Sequence, residues 1–443
     1  MKKGITFRIV ARDLRPALAA LGKVLPKGRG SREAPSVLWV ERQDRSLIRI
    51  AAGDGQTSLS IDLPGESGKG GAPGQVGSLT MEKARDALRG CRAGDLVELP
   101  CSPVVEGENF PEEPDLRGRK IQIEGDSLLA LRQALACTST DPTRQVLQGA
   151  LLDPEKPKQV RIVGTDGRHL FQSRPMAIPG LQEPIILPAH PVLDSPALRG
   201  DEAWELSVGS GGASGDHRCF HLRGSNWRLS GPMVEGNYPK YQPVMPQTSS
   251  EATSLNLSEV ISEKLRKKLA KIPRRQSKDY PVGFSAEPGT VRAFFRDGDP
   301  DHYEEVRTTQ KDLSTSRERV FVDSVYLDRA LRFGLRQIQI IDETSPLLIS
   351  GPTGKMVIMP IRVPRKILVT QTTSWDEPDF ERNSEKRRSR PRRKAAKTRS
   401  RGPSPETRPA PKPSRPRREP VSIQLMRSSI HLGRALFGWL PAR

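Results

Sequence analysis

Cysteine, aromatic residues and long apolar runs are all scarce in this chain, and each scarcity closes off a class of explanation. The four cysteines in 443 residues, Cys91, Cys101, Cys137 and Cys219, stand far apart with no CxxC pair. That excludes a disulfide framework or a zinc ribbon and points to a reducing, cytoplasmic setting. Aromatic residues make up 5% and hydrophobic residues 35% of the sequence, a composition that suits ordinary folded domains plus one segment that folds poorly. Arg8, Arg12 and Asp13 interrupt the apolar residues that follow Met1-Lys2-Lys3, so no secretory core is read there. No stretch approaches the roughly 20 apolar residues that span a bilayer, and the chain is expected to be soluble and internal, with no membrane partner.

Acidic residues are scarce in one region above all. Residues 364–443 hold 21 Lys/Arg against 7 Asp/Glu, so this tail carries +14 of the total net charge of +20. Between Lys386 and Arg418 there are 15 basic residues and one acidic residue, interleaved with Pro and Ser. Such a stretch buries too little apolar surface to fold alone and is expected to be disordered. Apolar residues return over Val421 to Leu440, enough for one short amphipathic segment.

What the rest of the chain contains is a repeat. Ala87-Leu88-Arg89-Gly90, Ala197-Leu198-Arg199-Gly200 and Ala330-Leu331-Arg332-Phe333-Gly334 each close a stretch with helical apolar spacing. Each unit opens with apolar residues at three and four spacing, at Leu14 to Leu25, Leu128 to Ala136 and Leu257 to Leu269, which predicts a helix. Short β-rich runs follow, including Val37 to Val40, Leu47 to Ala51, Val160 to Val163, Trp204 to Val208, Arg218 to Leu222 and Val291 to Phe295. One supersecondary unit used three times accounts for this order. The reading is an α+β chain of three similar domains at 1–122, 123–250 and 251–363, each with two helices and several short strands, then a disordered basic tail over 364–443. The step from Gly90 to Asn109 is 19 positions where the matching step from Gly200 to Asn237 is 37, so the first unit is short by about a hairpin.

Four blocks carry a resemblance: Thr140 to Gly149 (TDPTRQVLQG), Val163 to Leu170 (VGTDGRHL), Glu235 to Tyr241 (EGNYPKY) and Met356 to Val363 (MVIMPIRV). In this order, over about 220 residues, they resemble the bacterial DNA polymerase III beta subunit, the replicative sliding clamp. The resemblance implies three clamp-type domains per chain, each with two helices backed by antiparallel sheets, and two chains closing head to tail around double-stranded DNA, the edge of domain 1 pairing with domain 3 of the other chain. It implies no chemistry, no catalytic residue, no metal and no cofactor, but a processivity factor that tethers the replicative polymerase. The partners implied are the DNA polymerase III alpha subunit, the clamp loader, other clamp-binding peptides and a second copy of the chain as a homodimer. By position, the peptide-binding cleft is assigned to Leu147, Thr165, Gly167, Arg168, His169, Leu170, Pro239, Val244, Met359, Pro360, Ile361, Arg362 and Val363. Without the resemblance, the same apolar residues read as ordinary core; with it, Leu147, Leu170, Val244, Met359 and Ile361 make a pocket for a Leu or Phe anchor, Met adapting to several partners. The chain departs from the family in placing Arg168 before His169, in having Pro243 before Val244, and in its short first unit.

A ring around DNA needs cations against phosphates and little base readout. Candidates are Arg32, Arg132, Arg144, Lys264, Arg266, Lys267, Lys268 and Lys271, with Arg12, Arg15 and Lys23 on the first helix; the alternative for any one of them is a solvated face. A different class of function is a clamp-like adaptor that keeps the cleft and holds DNA through its basic tail without forming a closed ring. Three other constellations are set aside. Asp297, Asp299 and Asp301 lack the Gly and Glu of a calcium loop, His217, Cys219 and His221 lack a fourth ligand, and Asp153-Pro154-Glu155 lacks the partner carboxylates of a two-metal nuclease.

Overall fold

The computed structural model describes residues 5–26, 37–67, 73–104, 120–156, 159–211, 217–246, 252–272, 280–310, 316–363 and 366–376. Arg32, the Asn109-Phe110-Pro111 motif, the polar run at 247–251, the basic stretch at 386–418 and the terminal segment at 421–440 lie outside the described residues.

The first unit runs β1 (Ile5–Val10), α1 (Ala11–Leu21), β2 (Val37–Arg42), β3 (Leu47–Gly53), β4 (Ser58–Ser67), β5 (Val76–Thr80), α2 (Met81–Ala87) and β6 (Leu96–Pro103). The second runs β7 (Lys120–Glu124), α3 (Gly125–Leu135), β8 (Gly149–Lys156), β9 (Gln159–Thr165), β10 (His169–Ser173), β11 (Ile185–Pro188), α4 (Pro196–Arg199), β12 (Ala203–Gly211), β13 (His217–Arg223) and β14 (Trp227–Pro232). The third runs β15 (Thr253–Asn256), α5 (Glu259–Leu269), β16 (Pro281–Glu287), β17 (Thr290–Arg296), β18 (His302–Thr309), β19 (Ser316–Asp323), α6 (Ser324–Arg332), β20 (Gln337–Ile340), β21 (Leu347–Ser350) and β22 (Gly354–Ile358). An additional strand, β23 (Leu368–Ser374), follows. No helix among the described residues is long and apolar enough to cross a membrane.

The expected order of helix, strands, helix, strands is present three times. Helix α1 buries Ala11, Leu14, Ala17, Leu18 and Leu21 on one face, the stripe that three and four spacing dictates. Helices α5 and α6 start at side-chain caps: Ser258 accepts from the Ile261 amide at 3.2 Å and Asp323 from the Val325 amide at 2.8 Å. The repeated phrase marks helix ends. Gly90 and Gly334 sit just past α2 and α6 with φ of 79° and 76°, the left-handed conformation that glycine adopts without a Cβ clash. In the second unit the phrase ends only the four-residue α4, and Gly200 keeps φ −74°. Pro196 is the reason: it holds Ser195 extended at φ −73°, ψ 141° and so separates α4 from the 3₁₀ turn Pro191–Asp194.

Among the described residues, units two and three each place three strands after their second helix and unit one places only β6, which is where the sequence is short by a hairpin. The first unit closes on itself instead, because β1 pairs with β6 on one side and with the end of β4 on the other. Sheets run across both seams. Strand β4 pairs with β14 (Leu59↔Leu229, Ile61↔Trp227), and β10 pairs with β22 (Leu170↔Val357, Phe171↔Met356). A sheet of β19, β16, β17, β18 and β23 completes the third unit. That unit therefore extends beyond Val363: residues 366–376, expected to belong to a disordered tail, form an edge strand that ends in a buried tryptophan, Trp375.

At the first seam Asp62 accepts from Arg49 Nε at 2.8 Å and from Arg228 at 2.9 Å, with all three side chains under 20% exposed. Beside them Trp204 and Trp227 pack edge to face at 5.5 Å. Removing the carboxylate takes away the acceptor that these two largely buried guanidinium groups share. Asp62→Ala is expected to lower unfolding stability by about 3 kcal/mol, the lower end for breaking a buried pair, measured by urea denaturation.

Candidate functional site

Strand β9 ends at Thr165 and the chain reverses within three residues before β10 begins at His169. Gly167 takes φ 87° at this turn, and the polar groups of the turn satisfy each other. Asp166 Oδ1 accepts from the amides of Arg168 at 2.8 Å and His169 at 3.1 Å. Thr165 Oγ1 accepts from the Gly167 amide at 3.0 Å and donates to the His169 carbonyl at 2.6 Å. The turn lies directly beside the end of β22, where the Met359 amide donates to the Arg168 carbonyl at 2.9 Å.

Thr165, Gly167, Arg168, His169, Leu170, Val244, Val357 and Met359 line a small pocket at this seam. Its base comes from two units, since Leu170 of β10 and Val357 of β22 are register partners. Val244 closes one side from the 3₁₀ turn Gln242–Val244. That turn is anchored by the buried Tyr241, whose hydroxyl lies 2.9 Å from Asp153 Oδ2 and 3.1 Å from Glu155 Oε1. Burial and the two carboxylates push the Tyr241 hydroxyl pKa up. Asp153 and Glu155 thus serve as struts beneath the pocket wall.

Seven of the eight lining residues belong to the set that the resemblance carries over. Val357 was missed, although it stands two positions before Met359 at the end of β22, a period-two signal. The remaining six lie outside the lining. Leu147 is buried in the 3₁₀ turn Gln145–Gln148, Pro239, Pro360 and Ile361 are half-buried, and Arg362 is exposed. Val363 packs toward Phe294, Tyr303 and Phe321. The reversed order of Arg168 and His169 also has a structural meaning. Arg168 is at the surface, whereas His169, which also lines the pocket, is 2% exposed.

His169 joins the two units. Its Nδ1 lies 2.8 Å from Asp166 Oδ1, its Nε2 lies 2.7 Å from Arg329 of α6, and its ring stacks on Tyr326 of α6 at 4.1 Å. Arg329 can only donate, so Nε2 accepts and Nδ1 carries the proton toward Asp166. Tyr326 donates to the other Asp166 oxygen at 2.8 Å. Burial pulls the imidazole below its ordinary 6.5, against the carboxylate's opposing effect. Burial works against the Asp166 carboxylate too, but hydrogen bonds and the imidazole hold its pKa far below the usual range. Both shifts favour the folded state at neutral pH and lose that contribution as pH falls, the histidine's as pH drops below 6.5. The melting temperature is therefore expected to fall on acidification from about pH 7 to 5, and to fall less in His169→Gln, which is read by thermal denaturation across that range.

The candidate phosphate-binding cations are dispersed by the fold. Arg132 donates to the Asp201 carbonyl at 3.0 Å and lies over the Trp204 ring at 5.0 Å. Arg144 donates to the Asp166 carbonyl at 2.9 Å, which puts it at the pocket turn. On α5, Lys264 donates to the Trp375 carbonyl at 2.6 Å, Arg266 is 3.7 Å from Asp328, and Lys268 pairs with Glu304. Lys267 and Lys271, like Arg12 on α1, are exposed, although Lys267 is 3.4 Å from Glu263 and Arg12 is 3.6 Å from Asp13. Arg15 donates to the Cys91 carbonyl and Lys23 to the Pro191 carbonyl at 3.0 Å.

The four cysteines are free, and burial pushes the thiols of Cys101 and Cys137 up to about 12. Among the described residues no group of three His, Cys, Asp or Glu is placed to hold a metal ion. A larger hollow of about 960 Å³ crosses the seam of units two and three, but its walls include Arg161, Arg174, Arg336 and Lys355, and it shares no residue with the apolar pocket.

A three-unit α+β chain with sheets continuous across its seams and a pocket at the β10–β22 junction has the fold of the bacterial beta sliding clamps. The chain is similar to the Helicobacter pylori beta clamp, whose structure was solved with a DNA ligase peptide, at 18% identity and a TM-score of 0.62, covering 81% of this chain and 100% of that one. The Bartonella birtlesii clamp bound to griselimycin gives 16% identity and a TM-score of 0.63, and the Bacillus subtilis DNA polymerase clamp 16% and 0.61, with 81% and 82% of this chain covered and 100% of each of theirs. In sequence, the Synechocystis beta sliding clamp is 27% identical over 221 residues, 47% of this chain and 52% of that protein. The chain thus spans about half the length of the curated relative it matches. No family model matches.

Proposed function

We propose that the chain is a DNA sliding clamp: a non-catalytic processivity factor that encircles duplex DNA and holds the replicative DNA polymerase to its template by raising its effective concentration there. The observation that carries the reading is the apolar pocket at the β10–β22 seam, on the clamp fold and among the residues the resemblance assigns to a peptide cleft. The pocket is small, apolar at its base and rimmed by Arg168. It suits one Leu or Phe anchor of a short extended peptide, and Met359 gives it room to adapt. Its partners are peptide segments of the polymerase III alpha subunit, the clamp loader and other clamp-binding proteins, in the cytoplasm. Surface Lys and Arg, together with the basic tail, supply sequence-independent contact with phosphates.

The Helicobacter pylori clamp binds a DNA ligase peptide, and the corresponding peptide is the direct probe for this pocket. Val244→Arg is expected to fill the pocket and weaken peptide binding at least tenfold, or about 1.4 kcal/mol, without lowering the melting temperature. Unchanged affinity by calorimetry sinks the assignment. Encirclement is tested with loaded protein on nicked circular DNA and on the same DNA linearised, at salt high enough to screen the tail. Retention on the circle with loss from the linear form is expected. Equal loss from both forms means that contact is electrostatic only, as in an adaptor that keeps the pocket and holds DNA by its tail.

A further inference from the structure

The β10–β22 ladder has two ends. At one, His169 faces Ile358 and the apolar pocket opens; at the other, Ser173 faces Gly354 and the hollow of about 960 Å³ opens. Four of the fifteen described residues that line this hollow are cations, Arg161, Arg174, Arg336 and Lys355, and none of the fifteen is acidic or aromatic. The four come from separate stretches of chain: Arg161 from β9, Arg174 from just past β10, Arg336 from the turn between α6 and β20, and Lys355 from β22. Main-chain bonds hold these stretches together. The Arg174 amide donates to the Thr353 carbonyl at 3.1 Å and the Arg336 amide to the Ser350 carbonyl at 3.0 Å. Two glycines permit the approach, since a Cβ on Gly354 would stand 2.3 Å from the Gln172 carbonyl oxygen and one on Gly351 2.8 Å from that of Gly334. Backbone therefore fixes the frame that carries the four cations.

The cations are lightly engaged. Arg161 Nε donates to Glu155 at 2.6 Å, Arg336 Nη2 to Glu259 at 3.2 Å, and Arg174 Nη2 to the Gly351 carbonyl at 3.2 Å. A guanidinium has five N–H donors, so most of theirs are uncommitted among the described residues. Lys355 is exposed and has no hydrogen-bond or ion-pair partner among the described residues. Cations gathered on a concave wall raise the local concentration of anions. We propose that this hollow binds a compact oligophosphate, a chain of three or more linked phosphates, either free or as the tail of a nucleotide. Its volume is at the upper end of the roughly 300–1,000 Å³ of small-molecule sites. Arginine forks match phosphate oxygens two at a time. A phosphate chain brings several negative charges into one recess, whereas an extended peptide brings at most one per residue, at steps of about 3.3 Å. Without an aromatic wall there is no stacking platform of the kind that single-stranded nucleic acids use, and a duplex presents its phosphates on a convex surface rather than to a recess. A ligand seated here touches units two and three at once.

The test is acylation of lysines in the full chain by an amine-reactive ester, read by mass spectrometry with and without inorganic tripolyphosphate, at salt high enough to screen the tail. With tripolyphosphate at roughly ten times its dissociation constant, acylation of Lys355 is expected to slow about tenfold, while that of Lys267 on α5 stays unchanged. No slowing at Lys355, or equal slowing at both lysines, overturns the inference. ATP is the second probe: protection at a lower concentration than tripolyphosphate identifies a nucleotide as the source, protection at an equal or higher concentration identifies the phosphate chain alone, and either supports the site. Protection by an oligothymidylate without protection by tripolyphosphate overturns it in favour of a single strand. By calorimetry, Lys355→Glu and Arg174→Gln are each expected to weaken tripolyphosphate binding about tenfold. Lys355 is exposed, so its variant is expected to melt with the parent chain, and unchanged affinity in both variants overturns the inference. The inference goes beyond the clamp reading and does not rest on it. Hollow and apolar pocket share no residue, so an unprotected Lys355 leaves the peptide and circular-DNA tests where they stand, and failure of those tests leaves this one in place.

Discussion

Backbone pairing across unit boundaries is the constraint on which the rest of this structure depends. Each unit alone would leave strands with unanswered amides and carbonyls, and such groups must find partners or stay in water. The fold answers with antiparallel ladders between units, β4 to β14 at one seam and β10 to β22 at the other. Side chains then fill in around those ladders. Asp62 with its two arginines lies at the first seam, and Asp166, His169, Tyr326 and Arg329 lie at the second. The pocket follows from the second ladder, because its two central apolar residues are register partners drawn from different units.

The same constraint acts where the repeat is incomplete. With two fewer strands after its second helix among the described residues, the first unit bends β4 so that its start pairs with β14 and its end with β1. The third unit finds its missing neighbour in the segment that follows the repeat. In each case an open ladder is closed by residues of the same chain.

Much of this was legible in the sequence, and the misses have physical causes. The opening helices and main strands follow from periodicity, since Leu14, Leu18 and Leu21 share one face and Val291, Ala293 and Phe295 enter the main core at every second position. The glycines of the repeated phrase mark helix ends because a left-handed residue there needs no Cβ, and Gly200 escapes the rule because Pro196 had already cut its helix short. Most of the pocket was readable because it is built from two contiguous blocks, Thr165 to Leu170 and Val357 to Met359. The support behind it was not, since His169 and Tyr326 meet over 157 positions of sequence and nothing in either neighbourhood announces the stack. Strand β23 was hidden differently. Val369 and its threonines are good strand formers, but the dense charge that begins a few residues later dominates any compositional window that contains them.

The pocket's position across a seam gives it a mechanical character. Leu170 and the Thr165–Arg168 turn belong to one unit, Val357 and Met359 to the next, so any peptide seated there touches both and acts as a clip between them. On the proposed peptide-binding role, thermodynamic linkage would make the relation reciprocal: whatever holds units two and three together at this seam, including the imidazole held between Asp166 and Arg329, would raise the affinity for the peptide by the same factor by which the peptide holds the units together. On that reading the rigidity of the frame and the strength of its grip are one quantity measured at two places.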